Sequence, residues 1–138
     1  MSIKLSHIYH TYSKATPFER LALQDVSLEI KKGEIVAIIG HTGSGKSTLV
    51  QHLNGLLQPD KGTATIDEVD ISAKGTQAKN ARQQVGMVFQ YPEHQIFAET
   101  VFEDIAFGPR NKGFSEEDVA KAVREAMAFV GLDYDTFA

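Results

Sequence analysis

The stretch Ile35-Val36-Ala37-Ile38-Ile39-Gly40-His41-Thr42-Gly43-Ser44-Gly45-Lys46-Ser47 carries most of the information in this chain. Five apolar residues in a row, closed at once by glycine, predict a central parallel strand buried on both faces. Residues 40–47 then match G-x-x-x-x-G-K-[ST] at every fixed position. Beyond them, Leu49, Val50, Leu53, Leu56 and Leu57 fall at helical spacing, and Pro59 lies past the helix end. Gly40, Gly43 and Gly45 permit backbone geometry and close approach that a Cβ would obstruct. Successive N–H groups can turn inward as an anion nest, and the first helical turn adds its unpaired N–H groups and positive dipole end. Lys46 is expected near the β and γ phosphates of a nucleoside triphosphate. Ser47 is expected to offer its hydroxyl to Mg²⁺, which takes oxygen ligands. The motif does not choose among ATPases, GTPases and kinases.

Upstream, Ile3, Leu5 and Ile8 form a partial alternation that predicts a strand over 2–9. Residues 13–20 predict a loop around Pro17. Leu23, Val26, Leu28 and Ile30 predict a half-buried strand over 23–30, followed by a turn at Lys31-Lys32-Gly33. Downstream, strands are expected over 63–67, 69–71 and 85–89, with a helix among the polar residues 72–84. Thr100 is placed to cap a helix holding Val101, Phe102, Ile105 and Ala106 and ending near Gly108-Pro109. Ser115-Glu116-Glu117-Asp118 resembles a capping box with Asp where Glu is usual. The helix behind it is expected to bury Val119, Ala122, Val123, Ala126, Met127 and Val130, and Gly131 stops it.

The 138 residues suffice for one globular domain or a large piece of one. A formal charge of −4 and the lack of any basic run argue against nucleic acid as a partner. The absence of cysteine removes disulfides, thiolate metal sites and a Cys nucleophile, and fits a reducing compartment. The first residues form no apolar signal-peptide core. No apolar stretch approaches bilayer-spanning length, so any membrane role is expected to come through a partner.

The segment from Ile3 to Phe137 resembles the N-terminal half of an ATP-binding cassette (ABC) ATPase. The markers are Leu23-Gln24-Asp25-Val26-Ser27-Leu28, Gly33-Glu34 leading into the loop, Leu53-Asn54-Gly55-Leu56-Leu57-Gln58-Pro59, and Gly62-Thr63. Val85-Gly86-Met87-Val88-Phe89-Gln90 is similar to the strand feeding that family's Q-loop. Gln90-Tyr91-Pro92-Glu93-His94-Gln95-Ile96-Phe97, with Thr100-Val101 and residues 104–109, narrows the resemblance to the ATPases of energy-coupling factor (ECF) transporters. Those transporters import vitamins and transition-metal ions. Thr16-Pro17-Phe18-Glu19 resembles one of the two ATPase paralogues in that group.

The resemblance implies an α/β fold: an ABC ATPase phosphate-loop core with an N-terminal antiparallel β subdomain over 1–90, and the start of an α-helical subdomain over 91–138. It implies that Gly40, His41, Thr42, Gly43, Ser44, Gly45, Lys46, Ser47 and Thr48 hold ATP. It also implies that the amide of Gln90 reaches Mg²⁺ and the attacking water. Tyr12 is implied to stack on adenine, with Phe18 and Tyr9 as competitors. His41 sits at a variable loop position and is expected to tune local hydrogen bonding, not to act as a base. The implied partners are a second ABC ATPase subunit, in a homo- or heterodimer, and a transmembrane ECF subunit docking near residues 92–97. His94 would lie in that groove, with Phe97 as its apolar anchor. The implied location is peripheral, on the cytoplasmic face of the membrane.

Three parts the family uses for hydrolysis are not found among these residues. There is no apolar run ending in Asp-Glu, no Leu-Ser-Gly-Gly-Gln signature and no switch histidine after them. Val130-Gly131-Leu132-Asp133 is no substitute, because its apolar run is short and sits on a helix end. The expectation is a truncated chain with an ATPase parent, itself binding nucleotide at most. Residues 35–39 would then show an unpaired edge and an apolar face. A phosphate-loop kinase or GTPase is a second reading, opposed by the lack of an Asn-Lys-x-Asp guanine reader. A non-catalytic nucleotide-binding or interaction module is a third, and an ATPase of another ABC importer class a fourth.

Overall fold

The computed structural model describes residues 1–138. The chain divides into two compact units, Met1–Met87 and Val88–Ala138. The first is built on an antiparallel sheet of order β2-β1-β3-β4, from β1 (Ile3–Tyr12), β2 (Arg20–Ile30), β3 (Lys61–Ile66) and β4 (Val69–Asp70). Helices α1 (Lys46–Leu53) and α2 (Thr76–Arg82) belong to the same unit. Leu5, Ile8, Leu23, Ala64, Ile66, Ile71 and Ala81 form its buried core.

The broken alternation in β1 has a structural cause. The pairing of β1 with β2 shifts register between Leu5 and Ile8, and both residues are buried. An irregularity of this kind moves the buried set from odd to even positions within one strand. His7, at φ 52°, sits at the shift, and its backbone N–H donates to Ser27 Oγ at 2.9 Å. Its ring Nδ1–H donates to Asp25 Oδ1 at 2.7 Å, and Asp25 is also at φ 52°.

Two expected strands do not form. Residues 35–39 and 85–89 lie in no strand, and Ile35 and Ile39 are 101% and 93% exposed. A parallel strand buried on both faces needs bonded neighbours and a layer on each side. The sheet that forms is antiparallel, and neither segment is part of its order. The helix after the loop is also shorter than its apolar spacing suggests. It ends at Leu53 with Asn54 as its cap and Gly55 at φ 75°, so Leu56 and Leu57 fall outside it.

The second unit holds a 3₁₀ turn (Pro92–Gln95) and helices α3 (Val101–Asn111), α4 (Glu116–Phe129) and α5 (Tyr134–Phe137). Thr100 caps α3 by accepting from the Glu103 N–H. Helix α3 runs past Pro109 and stops at Gly113, φ 80°, whose N–H donates to the Arg110 carbonyl at 2.9 Å. Ser115 Oγ accepts from the Asp118 N–H at 3.2 Å and donates to Asp118 Oδ2 at 2.7 Å. The shorter Asp side chain thus meets the cap hydroxyl, whereas the Glu of a capping box reaches the cap's backbone N–H.

Helix α4 ends at Gly131, φ 75°, with Gly131 N–H to Ala128 O at 3.1 Å and Leu132 N–H to Met127 O at 2.9 Å. These are the paired bonds of a Schellman motif. Ala106, Val119, Val123 and Met127 form the buried core of this unit. The stripe on α4 is narrower than expected: Ala126 and Val130 are exposed, because the cover comes from α3 and Tyr134 alone. Asp133, in the segment that failed as an acidic site, caps α5 by accepting from the Thr136 N–H. Arg110 pairs with Glu103 and Glu116, tying α3 to the start of α4, and its guanidinium holds the Glu116 carboxyl below the usual carboxylate range.

Candidate functional site: the phosphate loop

The loop is shaped by contacts that only glycine allows. A Cβ on Gly40 would lie 2.6 Å from Ser44 Oγ. A Cβ on Gly45, at φ 90°, would lie 2.7 Å from the Ala22 carbonyl oxygen of β2. Glycine there lets α1 begin flush against the sheet edge. Ser44 N–H donates to the His41 carbonyl at 3.2 Å, and the His41 ring Nδ1–H donates to the Thr42 carbonyl at 2.9 Å. The Leu49 N–H to Gly45 carbonyl bond, 2.8 Å, opens the helical ladder. The amides of Lys46, Ser47 and Thr48 therefore belong to the first turn, which has no helical acceptors of its own. Lys46 Nζ donates to the carbonyls of Gly40 and His41, at 2.6 and 2.8 Å. Its ammonium is thereby folded back over the loop that carries it.

A cleft of about 160 Å³ opens beside the loop, lined by Tyr12, Arg20, Ala22, Gly43, Gly45, Lys46, Ser47 and Thr48. The lining carries two cations and no carboxylate, within a chain of formal charge −4. Neither Arg20 nor Lys46 takes part in an ion pair. A concave surface with one sign of charge focuses field lines and concentrates counter-ions, so the cleft suits an anion. The loop amides and Lys46 fit a polyphosphate. Ser47 brings a hydroxyl oxygen to the cleft wall, and the chain holds no cluster of three acidic or histidine side chains.

Tyr12 closes β1 at the cleft wall, with its hydroxyl 3.1 Å from Thr48 Oγ1. Of its two competitors, Phe18 is 83% exposed in the hairpin loop, and the ring of Tyr9 faces Lys61 Nζ at 5.9 Å. Neither lines the cleft. Gln90 belongs to the second unit, where it is exposed and directly precedes Tyr91 at φ 63°. In that unit Phe97 is 66% exposed, rests edge-on against Phe107 at 4.9 Å, and donates its N–H to Asp104 Oδ1 at 3.2 Å. His94 stacks on Tyr91 at 5.8 Å.

Arg20 is the cleft residue that motif reading missed. It opens β2 directly opposite Tyr12. The sequence placed it in a loop over 13–20, whereas the pairing of β1 and β2 runs on to Tyr12 and Arg20 and so brings the two residues together.

Behind the Tyr12–Thr48 contact lie two buried histidines. His52 is fully buried, donates Nδ1–H to the Thr48 carbonyl at 2.7 Å, and leaves Nε2 without a partner. The His10 ring packs edge-on against both His52 and Tyr12, at 4.9 and 4.6 Å. Burial pushes the His52 imidazole below its ordinary value of 6.5, and His10 adds to the shift. The Thr48 and Gln58 backbone groups and the Asp60 charge oppose it. A histidine held neutral in the fold binds fewer protons than in the unfolded chain, so stability is complete above pH 6.5 and falls as pH drops from there toward the folded value. The urea midpoint is therefore expected to be lower at pH 5.5 than at pH 7.5, and His52→Leu is expected to flatten this slope. An equal slope in wild type and variant would contradict it.

The fold and the loop together define a phosphate-loop α/β protein. A sequence model of the ABC transporter family matches residues 23–137, and the chain belongs to that family. It is 55% identical over 137 residues to the "Energy-coupling factor transporter ATP-binding protein EcfA2" of Clostridium tetani, covering 99% of this chain and 48% of that protein. The relative of the same name from Caldanaerobacter subterraneus is 54% identical over 132 residues, 96% of this chain and 46% of the other. The chain spans about half the length of the curated relatives it matches. Among solved structures, cbiO1 from Clostridium perfringens, part of the ABC transporter complex cbiONQ, superposes with a TM-score of 0.78 at 34% identity, covering 96% of this chain and 51% of that one. The ATP-binding cassette MJ0796, solved as a dimer with ADP and Pi, superposes with a TM-score of 0.81 at 30% identity, covering 96% of this chain and 59% of that one.

Proposed function

We propose that this chain is the ATP-binding N-terminal part of the ATPase subunit of an ECF-type ABC importer. The observation that carries the reading is the cleft beside residues 40–48, which combines loop amides, Lys46 and Arg20 with no carboxylate. ATP bound with Mg²⁺ supplies the phosphoryl group whose transfer to water drives the transport cycle. Lys46 exchanges two neutral carbonyl acceptors for phosphate oxygens, and the exchange adds the attraction between opposite charges. Ser47 offers Mg²⁺ a hydroxyl oxygen, and Tyr12 offers a flat ring to the base.

The boundary near residue 90 is read as the passage from the β subdomain and loop to the helical subdomain. The exposed Ile96 and Phe97 then face a transmembrane ECF subunit, and a second ABC ATPase subunit completes the nucleotide site. The membrane location is peripheral, on the cytoplasmic face; no helix of the chain is long and apolar enough to cross a membrane. The transported solute, a vitamin or a transition-metal ion, is selected by a separate membrane subunit. Positioning and charge stabilisation in phosphoryl transfer come from many parts at once. The 138 residues alone, without a signature motif or an acidic strand, are expected to bind nucleotide and to hydrolyse almost none. Support for the reading comes from the EcfA2 relatives and the cassette neighbours together with the loop.

Titration with a fluorescent ATP analogue and Mg²⁺ tests it. The expected result is saturable binding that ATP competes away and adenosine displaces only weakly. Equal displacement by adenosine, or no binding, would contradict it.

A further inference from the structure

We propose that Arg20 is a second phosphate-binding cation of this site, acting beside Lys46 on the phosphate chain of the nucleotide. The inference rests on the reading of the cleft as a nucleotide site and adds a residue to it that the motif does not contain.

Three observations carry it. The first is placement. Arg20 is held opposite Tyr12 by the β1–β2 register, so the sheet fixes where its side chain starts. Its Nη2 donates to the Gly43 carbonyl at 3.0 Å, in the middle of the phosphate loop. The second is fit. A Cβ on Gly43, at φ 83°, would come within 2.9 Å of that same Nη2. The guanidinium therefore sits against the bare backbone of the middle glycine of the loop. The third is charge. A guanidinium has five N–H donors in a rigid fork and cannot deprotonate. The structure gives one of them a loop carbonyl and pairs the charge with no carboxylate. Two unpaired cations in one small cleft repel each other, an arrangement that is favourable when one polyanion is shared between them. Arginine's planar fork matches phosphate oxygens bidentately, and the N–H groups not bonded to Gly43 are left for them. Lys46 reaches the phosphates from the loop and helix side, and Arg20 reaches them from the sheet side.

The test is competition against a bound fluorescent ATP analogue, using ATP, inorganic tripolyphosphate and adenosine on the full chain as wild type, Arg20→Ala, Arg20→Lys and Lys46→Ala. Arg20→Ala is expected to weaken ATP and tripolyphosphate alike, by about tenfold, with adenosine changed less than twofold. Arg20→Lys is expected to recover most of the loss, and the nucleotide-free unfolding midpoint is expected to stay at the wild-type value. Three outcomes would overturn the inference. Arg20→Ala could bind ATP as tightly as wild type while Lys46→Ala loses it. It could weaken ATP and adenosine equally, together with a lower unfolding midpoint, which would make Arg20 only a brace for the loop. Wild type could bind no polyphosphate, which would remove the site reading along with this residue.

Discussion

Lys46→Ala is expected to weaken ATP binding by a hundredfold or more while leaving the fold in place. The ammonium lies over the loop, within bonding distance of two backbone carbonyls, 2.6 and 2.8 Å away. Hydrogen bonds that involve a charged group contribute about 1.5–3 kcal/mol each. Losing two such bonds to phosphate oxygens costs about 3–6 kcal/mol, and every 1.4 kcal/mol is tenfold in affinity. Lys46 is partly buried and belongs to no ion pair, but its removal also loses the two bonds to the Gly40 and His41 carbonyls, so folding stability is expected to fall by about 1–2 kcal/mol, short of unfolding the domain. Titration of wild type and variant with the fluorescent analogue, beside urea unfolding of both, separates the two effects. Unchanged affinity in Lys46→Ala, or a loss matched by unfolding, would contradict the role given to the ammonium.

Gly62→Ala is expected to be the most damaging small substitution in the sheet. Gly62 has φ 93°, and a Cβ there would lie 2.3 Å from the His7 carbonyl oxygen and 2.4 Å from that of Ser6. Both are backbone atoms of β1, at the place where its pairing with β3 shifts between Ser6 and Tyr9. They cannot withdraw without opening the ladder. The left-handed conformation costs a non-glycine residue about 1–2 kcal/mol, and forced overpacking costs about 1–3 kcal/mol more. The sum, about 2–5 kcal/mol, is a large part of the stability of an ordinary domain. Gly113 provides the comparison: its φ is 80°, and no atom lies within 4 Å of its would-be Cβ. Gly113→Ala is expected to cost only the conformational part. Urea unfolding of the two variants decides the matter, and equal midpoints would show that the close approach of β1 and β3 at Gly62 is not what that glycine serves.

The parts of the fold that were legible in the sequence are those whose causes are local. Thr100, Ser115 and Gly131 announce the ends of α3 and α4, and each makes a terminal bond in the structure. The loop at 40–47 was legible because three glycines, a lysine and a serine at fixed spacing have few other uses. The irregular spacing of Leu5 and Ile8 also carried information, since a gap of three in a strand marks a register shift.

What was not legible depends on residues distant in the chain. The apolar runs at 35–39 and 85–89 were recognisable as apolar, but a strand exists only where a neighbour bonds to it, and composition does not supply the neighbour. The width of the buried stripe on α4 was misjudged for the same reason: periodicity marks a helix face, whereas the cover over that face decides that Val123 is buried and Val130 is not. Arg20 was overlooked because a lone arginine has no motif. Its place in the cleft comes from cross-strand pairing with Tyr12.

In the proposed function, the amides from Gly43 to Thr48, with Lys46 beside them, take up a polyphosphate. Amide-resolved NMR of the ¹⁵N-labelled chain on addition of Mg²⁺-ATP tests this most directly. The largest shifts are expected on residues 43–48, with tripolyphosphate reproducing them and adenosine failing to. Loop amides that stay unmoved while nucleotide binds elsewhere on the chain would contradict it.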